Sequence, residues 1–213
     1  MKLRTVLSAS FLAAAVVFVA PTAALAATCD YPYFPIKAGA SWTYTNDMYS
    51  NTQHTIAIER VDDAGYTQVL TNGRETTRTR WRCGPNGISS ADPVLVSESQ
   101  GVKKVVRRSG VIFPARFKLW ATWTFSTREE TTARGRTTVE ETVTTYKVIA
   151  EDQVTVPSGR FRAFRVRVKT SVPSGSLLAL LYADDTVWYA PGVGVVKRSG
   201  GSGLPLVLLR YRI

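Results

Sequence analysis

His54 is the only imidazole in this chain, so any acid–base or nucleophilic centre that uses histidine has to be built on it. Such a centre needs the ring hydrogen-bonded to a nucleophile and oriented by a third group. His54 sits in Gln53-His54-Thr55-Ile56, on the same face of an alternating pattern as Ile56 and Ile58, which is the setting of a hydrogen-bonded strand residue. The sequence has no Gly-x-Ser-x-Gly nucleophile elbow; Gly200-Gly201-Ser202-Gly203 has the wrong spacing and reads as a flexible loop. Two carboxylates converging on one bond would be a second route to chemistry. The pairs Asp62-Asp63, Glu129-Glu130, Glu140-Glu141 and Asp184-Asp185 look suited to it, but adjacent strand residues point to opposite faces, so they read as solvated turns and edges. Two cysteines and one histidine are too few for a four-ligand metal centre. Gly192-Val193-Gly194 after Pro191 is a turn into a strand rather than a phosphate loop, because no Gly-Lys-Ser/Thr follows. The expectation is a protein that is not an enzyme, with no catalytic residue, no cofactor and no metal.

The two cysteines carry a different chemistry. Met1-Lys2-Leu3-Arg4 is a short basic start, Thr5 to Ala20 a mainly apolar run, and Ala24-Leu25-Ala26 a small-residue cleavage site. Together they read as a secretory signal peptide, residues 1–26, removed after Ala26. The mature chain, residues 27–213, then folds in an oxidising compartment, secreted or in the periplasm and cell envelope, where Cys29 and Cys83 are expected to form a disulfide. Lipid attachment at Cys29 is the alternative, since Cys29 lies three places beyond Ala26. The residues before it fit a lipidation signal poorly: Leu25 is one place too distant, and Thr28 stands where a Gly, Ala or Ser belongs. No later stretch is long and apolar enough to span a bilayer as a helix.

Arginines supply the third candidate. Without Lys2 and Arg4 the 27 basic residues become 25 against 16 acidic ones, a net charge of +9 on the mature chain. Such a surface favours anionic partners. Arg162, Arg165, Arg167 and Lys169 could form a stripe that neutralises an anionic envelope polymer or extracellular nucleic acid, as could Arg78, Arg80 and Arg82. No specific nucleic-acid motif accompanies them. The structural alternative is that arginine among threonines forms the solvated face of a sheet.

The elements that must position these residues read as strands. From Ala40 onward the chain is a series of short runs rich in Thr, Val, Tyr, Trp and Phe, punctuated by Gly, Pro, Asn and Asp. Trp81 and Cys83 alternate with Arg78, Arg80 and Arg82, and Arg74 continues the basic face; Phe164, Val166 and Val168 alternate with Arg165, Arg167 and Lys169. Each pattern is a half-buried strand. Arg134-Gly135, Asn72-Gly73 and Pro157-Ser158-Gly159 mark turns. Leu177 to Tyr182 is too short for a decisive pattern and reads as a buried strand or loop. Trp42, Trp123 and Trp188 are expected in the core. About a dozen strands in one domain require a sheet that curls, closes or stacks, so the expected fold is all-β (or β-dominated), a curved antiparallel sheet or half-open barrel. A weak echo suggests duplication, with repeats at 34–112 and 113–200: Phe34-Pro35 then Trp42-Thr43-Tyr44 returns as Phe113-Pro114 then Trp123-Thr124-Phe125, and Val105-Val106-Arg107-Arg108-Ser109-Gly110 as Val195-Val196-Lys197-Arg198-Ser199-Gly200. Common strand wording is the other explanation.

Three segments together carry a resemblance: Tyr33-Phe34-Pro35-Ile36 with Gly39 and Trp42-Thr43-Tyr44; Val154 to Phe161; and Asp185 to Gly194 with its Trp188-Tyr189-Ala190-Pro191-Gly192-Val193-Gly194 ending. The chain resembles exported bacterial β-rich proteins and lipoproteins of unknown function with YFPL..G..W.Y and WYAPGVG.V motifs, similar in architecture to LolA/LolB-type lipoprotein carriers. It departs from those carriers in lacking clear helical segments and in its poor lipidation signal. The resemblance implies no catalytic residues; it implies a curved sheet that holds an apolar or lipid-like ligand.

Overall fold

A computed structural model describes Cys29 and residues 31–46, 53–73, 75–92, 94–99, 101–172, 184–200 and 205–213. The signal segment 1–26 with its cleavage site, Arg74, Leu177–Tyr182 and most of the 200–203 loop lie outside these residues.

Every regular element among the described residues is a strand: β1 (Ser41–Asn46), β2 (Gln53–Asp62), β3 (Gly65–Asn72), β4 (Glu75–Gly84), β5 (Gly87–Ser90), β6 (Val94–Ser99), β7 (Val102–Gly110), β8 (Phe113–Pro114), β9 (Thr122–Ala133), β10 (Arg136–Val156), β11 (Gly159–Ser171), β12 (Asp185–Ala190), β13 (Gly194–Gly200) and β14 (Leu206–Arg212). All pair antiparallel in one 14-stranded sheet, in the order β6-β7-β9-β10-β11-β12-β13-β14-β1-β2-β3-β4-β5-β8. This is the all-β, antiparallel architecture expected from the strand wording. The expected turns fall in place. Arg134 and Gly135 join β9 to β10 with φ of 50° and 73°, the left-handed pair that a two-residue hairpin requires. Pro157 and Ser158 join β10 to β11.

Neighbours in sequence are neighbours in the sheet almost throughout, and the departures join its distant parts. β14 pairs with β1, bringing Trp42 opposite Tyr211 and Tyr44 opposite Leu208. The chain between β7 and β8 bonds both ways: Val111 donates its N–H to Thr124 O of β9 (3.2 Å), and Ile112 donates to Ile88 O of β5 (2.8 Å). Gly110, φ +88°, permits this bend, because a Cβ there would collide with the Thr124 carbonyl oxygen.

Apolar residues of the strands other than β6 and β7 share one cluster, including Trp42, Ile58, Tyr66, Ile88, Phe113, Val148, Val166 and Leu208. The segment before β1 lies across it. Tyr33 stacks near Phe117 and Phe164, at 4.9 and 5.1 Å between ring centroids, and Phe34 lies 5.6 Å from Phe113. Cys29 and Cys83 are disulfide-bonded, with Cα atoms 5.4 Å apart, and so tie this segment to β4.

Candidate ligand cavity

Residues of the sheet and of the segment before β1 line a partly open cavity of about 410 Å³, within the ~300–1,000 Å³ typical of small-molecule sites. Its walls are chiefly aromatic and aliphatic: Trp42 and Tyr44 from β1, Ile56 from β2, Tyr66 from β3, Trp81 from β4 and Tyr189 from β12 are among the residues that line it. Strand alternation explains the supply, since each strand gives every second side chain to the interior. Several polar tips on these walls are already bonded. Trp42 donates Nε1–H to Val193 O at 2.6 Å, and the Tyr44 hydroxyl donates to Val195 O at 3.0 Å. Burial pushes the Tyr44, Tyr66 and Tyr189 hydroxyls far above the ordinary phenol value, so they stay neutral. The turn expected at Pro191 to Gly194 serves this wall. Gly192 and Gly194 have φ of 71° and 98°, and the turn holds Val193 O against Trp42.

One charged group lines the cavity among the described residues, Arg198. It owes its position to a bulge. Across β12 and β13, Trp188 pairs with Lys197 and Tyr189 with Val195, so Val196 is an extra residue between them. Regular alternation from the cavity-lining Val195 would send Lys197 inward and Arg198 outward. The bulge reverses the two: Lys197 lies over the Trp188 ring, 5.6 Å from its centroid, and Arg198 joins the cavity wall. There Arg198 donates Nη2–H to Asp185 Oδ2; the side chains are 38% and 2% exposed. Burial raises the Tyr146 and Tyr189 hydroxyls, and the Arg198 charge pulls both back in part, which places its field among them.

Asp185 is thus a correction. It is not a solvated turn carboxylate but a buried member of an ion pair, 1% exposed. Its signal was legible in the alternation Asp185, Val187, Tyr189, which puts the carboxylate on the apolar face of its strand. The Arg198 signal was not, because a bulge has no reliable sequence mark.

The arginines expected to form one stripe separate. Arg165, Arg167 and Lys169 alternate along one face of β11, whereas Arg162 shares the parity of Phe164 and binds Glu151, its Nη2 donating at 2.8 Å. Arg165 lies 3.4 Å from an Asp152 oxygen. On β4, Arg78 pairs with Glu59 and Arg80 with Asp62. Arg167 and Lys169 are exposed, and Arg167 stands directly opposite exposed Lys147. Trp42 and Trp123 are buried as expected, and Trp42 also lines the cavity. Trp188 is half-buried beside Arg165 and Lys197, its Nε1–H donating to Asp152 at 2.9 Å. His54 is half-buried in β2, paired in register with Tyr44.

No protein-family model matches the chain, and no curated protein sequence matches it. Two solved structures do. A candidate exported protein with a YmcC-like fold from Bacteroides fragilis aligns with 86% of this chain and all of its own at 14% identity and a TM-score of 0.47. At 16% identity and a TM-score of 0.50, the chain is similar in fold, over 86% of its length, to the whole of a candidate lipoprotein from Parabacteroides distasonis.

Proposed function

We propose that this chain is an exported, non-catalytic carrier whose sheet curls into a barrel around an apolar, lipid-like ligand. The observation that carries the reading is the cavity, about 410 Å³ and walled chiefly by aromatic and aliphatic side chains, with the Trp42 and Tyr44 polar tips bonded to backbone carbonyls. The bonds from Val111 to β9 and from Ile112 to β5 support the closure, because one short segment touches both distant parts of the sheet. Filling such a cavity recovers about 25 cal/mol per Å² of apolar surface. The signal segment supports export, and the fold likeness agrees with it. Titration of the delipidated mature protein with an environment-sensitive acyl probe tests the reading. Saturable one-to-one binding, changing little between about 50 and 200 mM salt, is expected; absence of saturation would refute it.

A second reading is favoured by one specific feature. Lys147 and Arg167 face each other across β10 and β11, a like-charge pair that costs stability where no partner neutralises it. With Lys169 and Arg165 they form a basic patch suited to an anionic envelope polymer. Heparin affinity falling steeply with salt, and flattened by replacing Arg165, Arg167 and Lys169 together, would support this reading.

A further inference from the structure

The turn between β8 and β9 shows an indole to solvent at a backbone position that favours glycine. Ala121 donates its N–H to Lys118 O at 3.0 Å and closes a tight turn whose central residues are Leu119 and Trp120. Trp120 has φ of 68°, and a turn with positive φ at its third residue calls for Gly or Asn. For a bulky side chain that conformation is an outlier, which the surrounding structure must hold in place. β10 holds it with two backbone bonds at buried Val148: Trp120 donates N–H to Val148 O (3.1 Å), and Val148 donates N–H to Ala121 O (3.0 Å). The turn is therefore fixed, and what it displays is apolar, Leu119 being 40% and Trp120 63% exposed. Folding alone does not ask for this, because a glycine would satisfy the turn and take a large ring out of water.

Cations flank the pair. Exposed Lys118 precedes it in the turn, and Lys147 Nζ of β10 lies 6.0 Å from the Trp120 ring centroid. The cross-strand neighbour of Lys147 on the same face is exposed Arg167, and exposed Lys169 follows two places along β11. None of these cations takes part in an ion pair among the described residues. The acidic residues further along β10, Glu151 and Asp152, are paired with Arg162 and Arg165. A hydrated anionic polymer would engage the cations but would give Leu119 nothing to bury against. A bilayer serves both groups: indole rings settle between hydrocarbon and head groups, and lysine and arginine reach anionic head groups.

We infer that the turn from Lys118 to Ala121 is a membrane-docking tip: Leu119 and Trp120 enter the interface of a bilayer, and Lys118, Lys147, Arg167 and Lys169 contact its anionic head groups. The tip is independent of the carrier reading, which concerns the cavity; an empty cavity leaves it standing. Co-sedimentation of the mature protein with vesicles of equimolar phosphatidylcholine and phosphatidylglycerol tests it, with phosphatidylcholine vesicles and heparin for comparison. The wild type should bind the mixed vesicles and bind phosphatidylcholine alone more weakly. Trp120→Gly suits the turn; it should bind the mixed vesicles on the order of 10-fold more weakly, with heparin affinity changed by less than about 2-fold. Lys147→Gln combined with Arg167→Gln should weaken binding to the mixed vesicles by about 5-fold for each charge removed, and heparin binding as well. If Trp120→Gly does not fold, Leu119→Ser, at a turn position without positive φ, decides by the same split between vesicles and heparin. A wild type that leaves the mixed vesicles unbound or binds both vesicle types alike, or a folded Trp120→Gly that binds them as the wild type does, would overturn the docking tip. Equal losses on vesicles and heparin in Trp120→Gly would overturn it in favour of a soluble anionic polymer.

Discussion

Gly200 and Asp185 set what single residues contribute here. With φ of +142° and the Asp185 backbone against it, Gly200 occupies a position where any side chain must displace the strand opposite. Gly200→Ala is expected to cost about 1–3 kcal/mol, read as a lowered urea midpoint at unchanged slope. A midpoint equal to that of the wild type would show that the ladder near Asp185 is looser than described. At the surface the charges act more weakly. The hydrogen bond from Arg80 holds the Asp62 carboxyl below the usual carboxylate range, with the Ala64 N–H and Arg60 helping and partial burial opposing. A depressed folded-state value means that the stabilisation is present above the unfolded pKa and is lost as pH falls through the folded one. In an NMR titration, Arg80→Gln should move the Asp62 midpoint upward; an unmoved midpoint would dissociate the two. At this scale the sequence was informative wherever alternation held. It placed Trp81 and Cys83 opposite Arg78 and Arg80 correctly, and it offers no guide to Arg198, because one bulged residue, Val196, inverts the faces beyond it.

Individual strands and their tight turns were legible because their determinants are local. A left-handed Arg134-Gly135 pair and the Pro157-Ser158 turn specify hairpins without reference to the rest of the chain. The pairing of β14 with β1, and the two-sided bonding between β7 and β8, depend on residues far apart in sequence and leave no local mark. The segment before β1 is likewise placed by tertiary contacts, with Tyr31, Tyr33 and Phe34 packed on the core and Cys29 bonded to Cys83. Closing a loop of 54 residues restricts the unfolded chain, and Cys83→Ser should lose about 2–4 kcal/mol. Reductant should lower the urea midpoint of the wild type and leave that of Cys83→Ser alone. Equal midpoints for the wild type with and without reductant would deny the staple any thermodynamic role.

For the molecule as a whole, the strand count called for a curled or stacked sheet, and of the tryptophans assigned to the core Trp42 and Trp123 are buried there, whereas Trp188 is half-buried under Lys197. What patterning could not disclose is that this interior is incompletely filled. Side-chain volumes follow from sequence, whereas the space left between them depends on sheet geometry. Trp42 therefore belongs both to the core and to the cavity wall. The central claim is that this space holds an apolar molecule, and native mass spectrometry of gently purified mature protein tests it most directly when the wild type is compared with Leu206→Trp. Leu206 is a half-buried lining residue, and an indole in its place would take up cavity volume. The account predicts a one-to-one apolar adduct on the wild type and none on Leu206→Trp, both variants giving the same β-type circular dichroism. A wild type that arrives empty and takes up no acyl probe, or a folded Leu206→Trp that retains the same adduct, would contradict it.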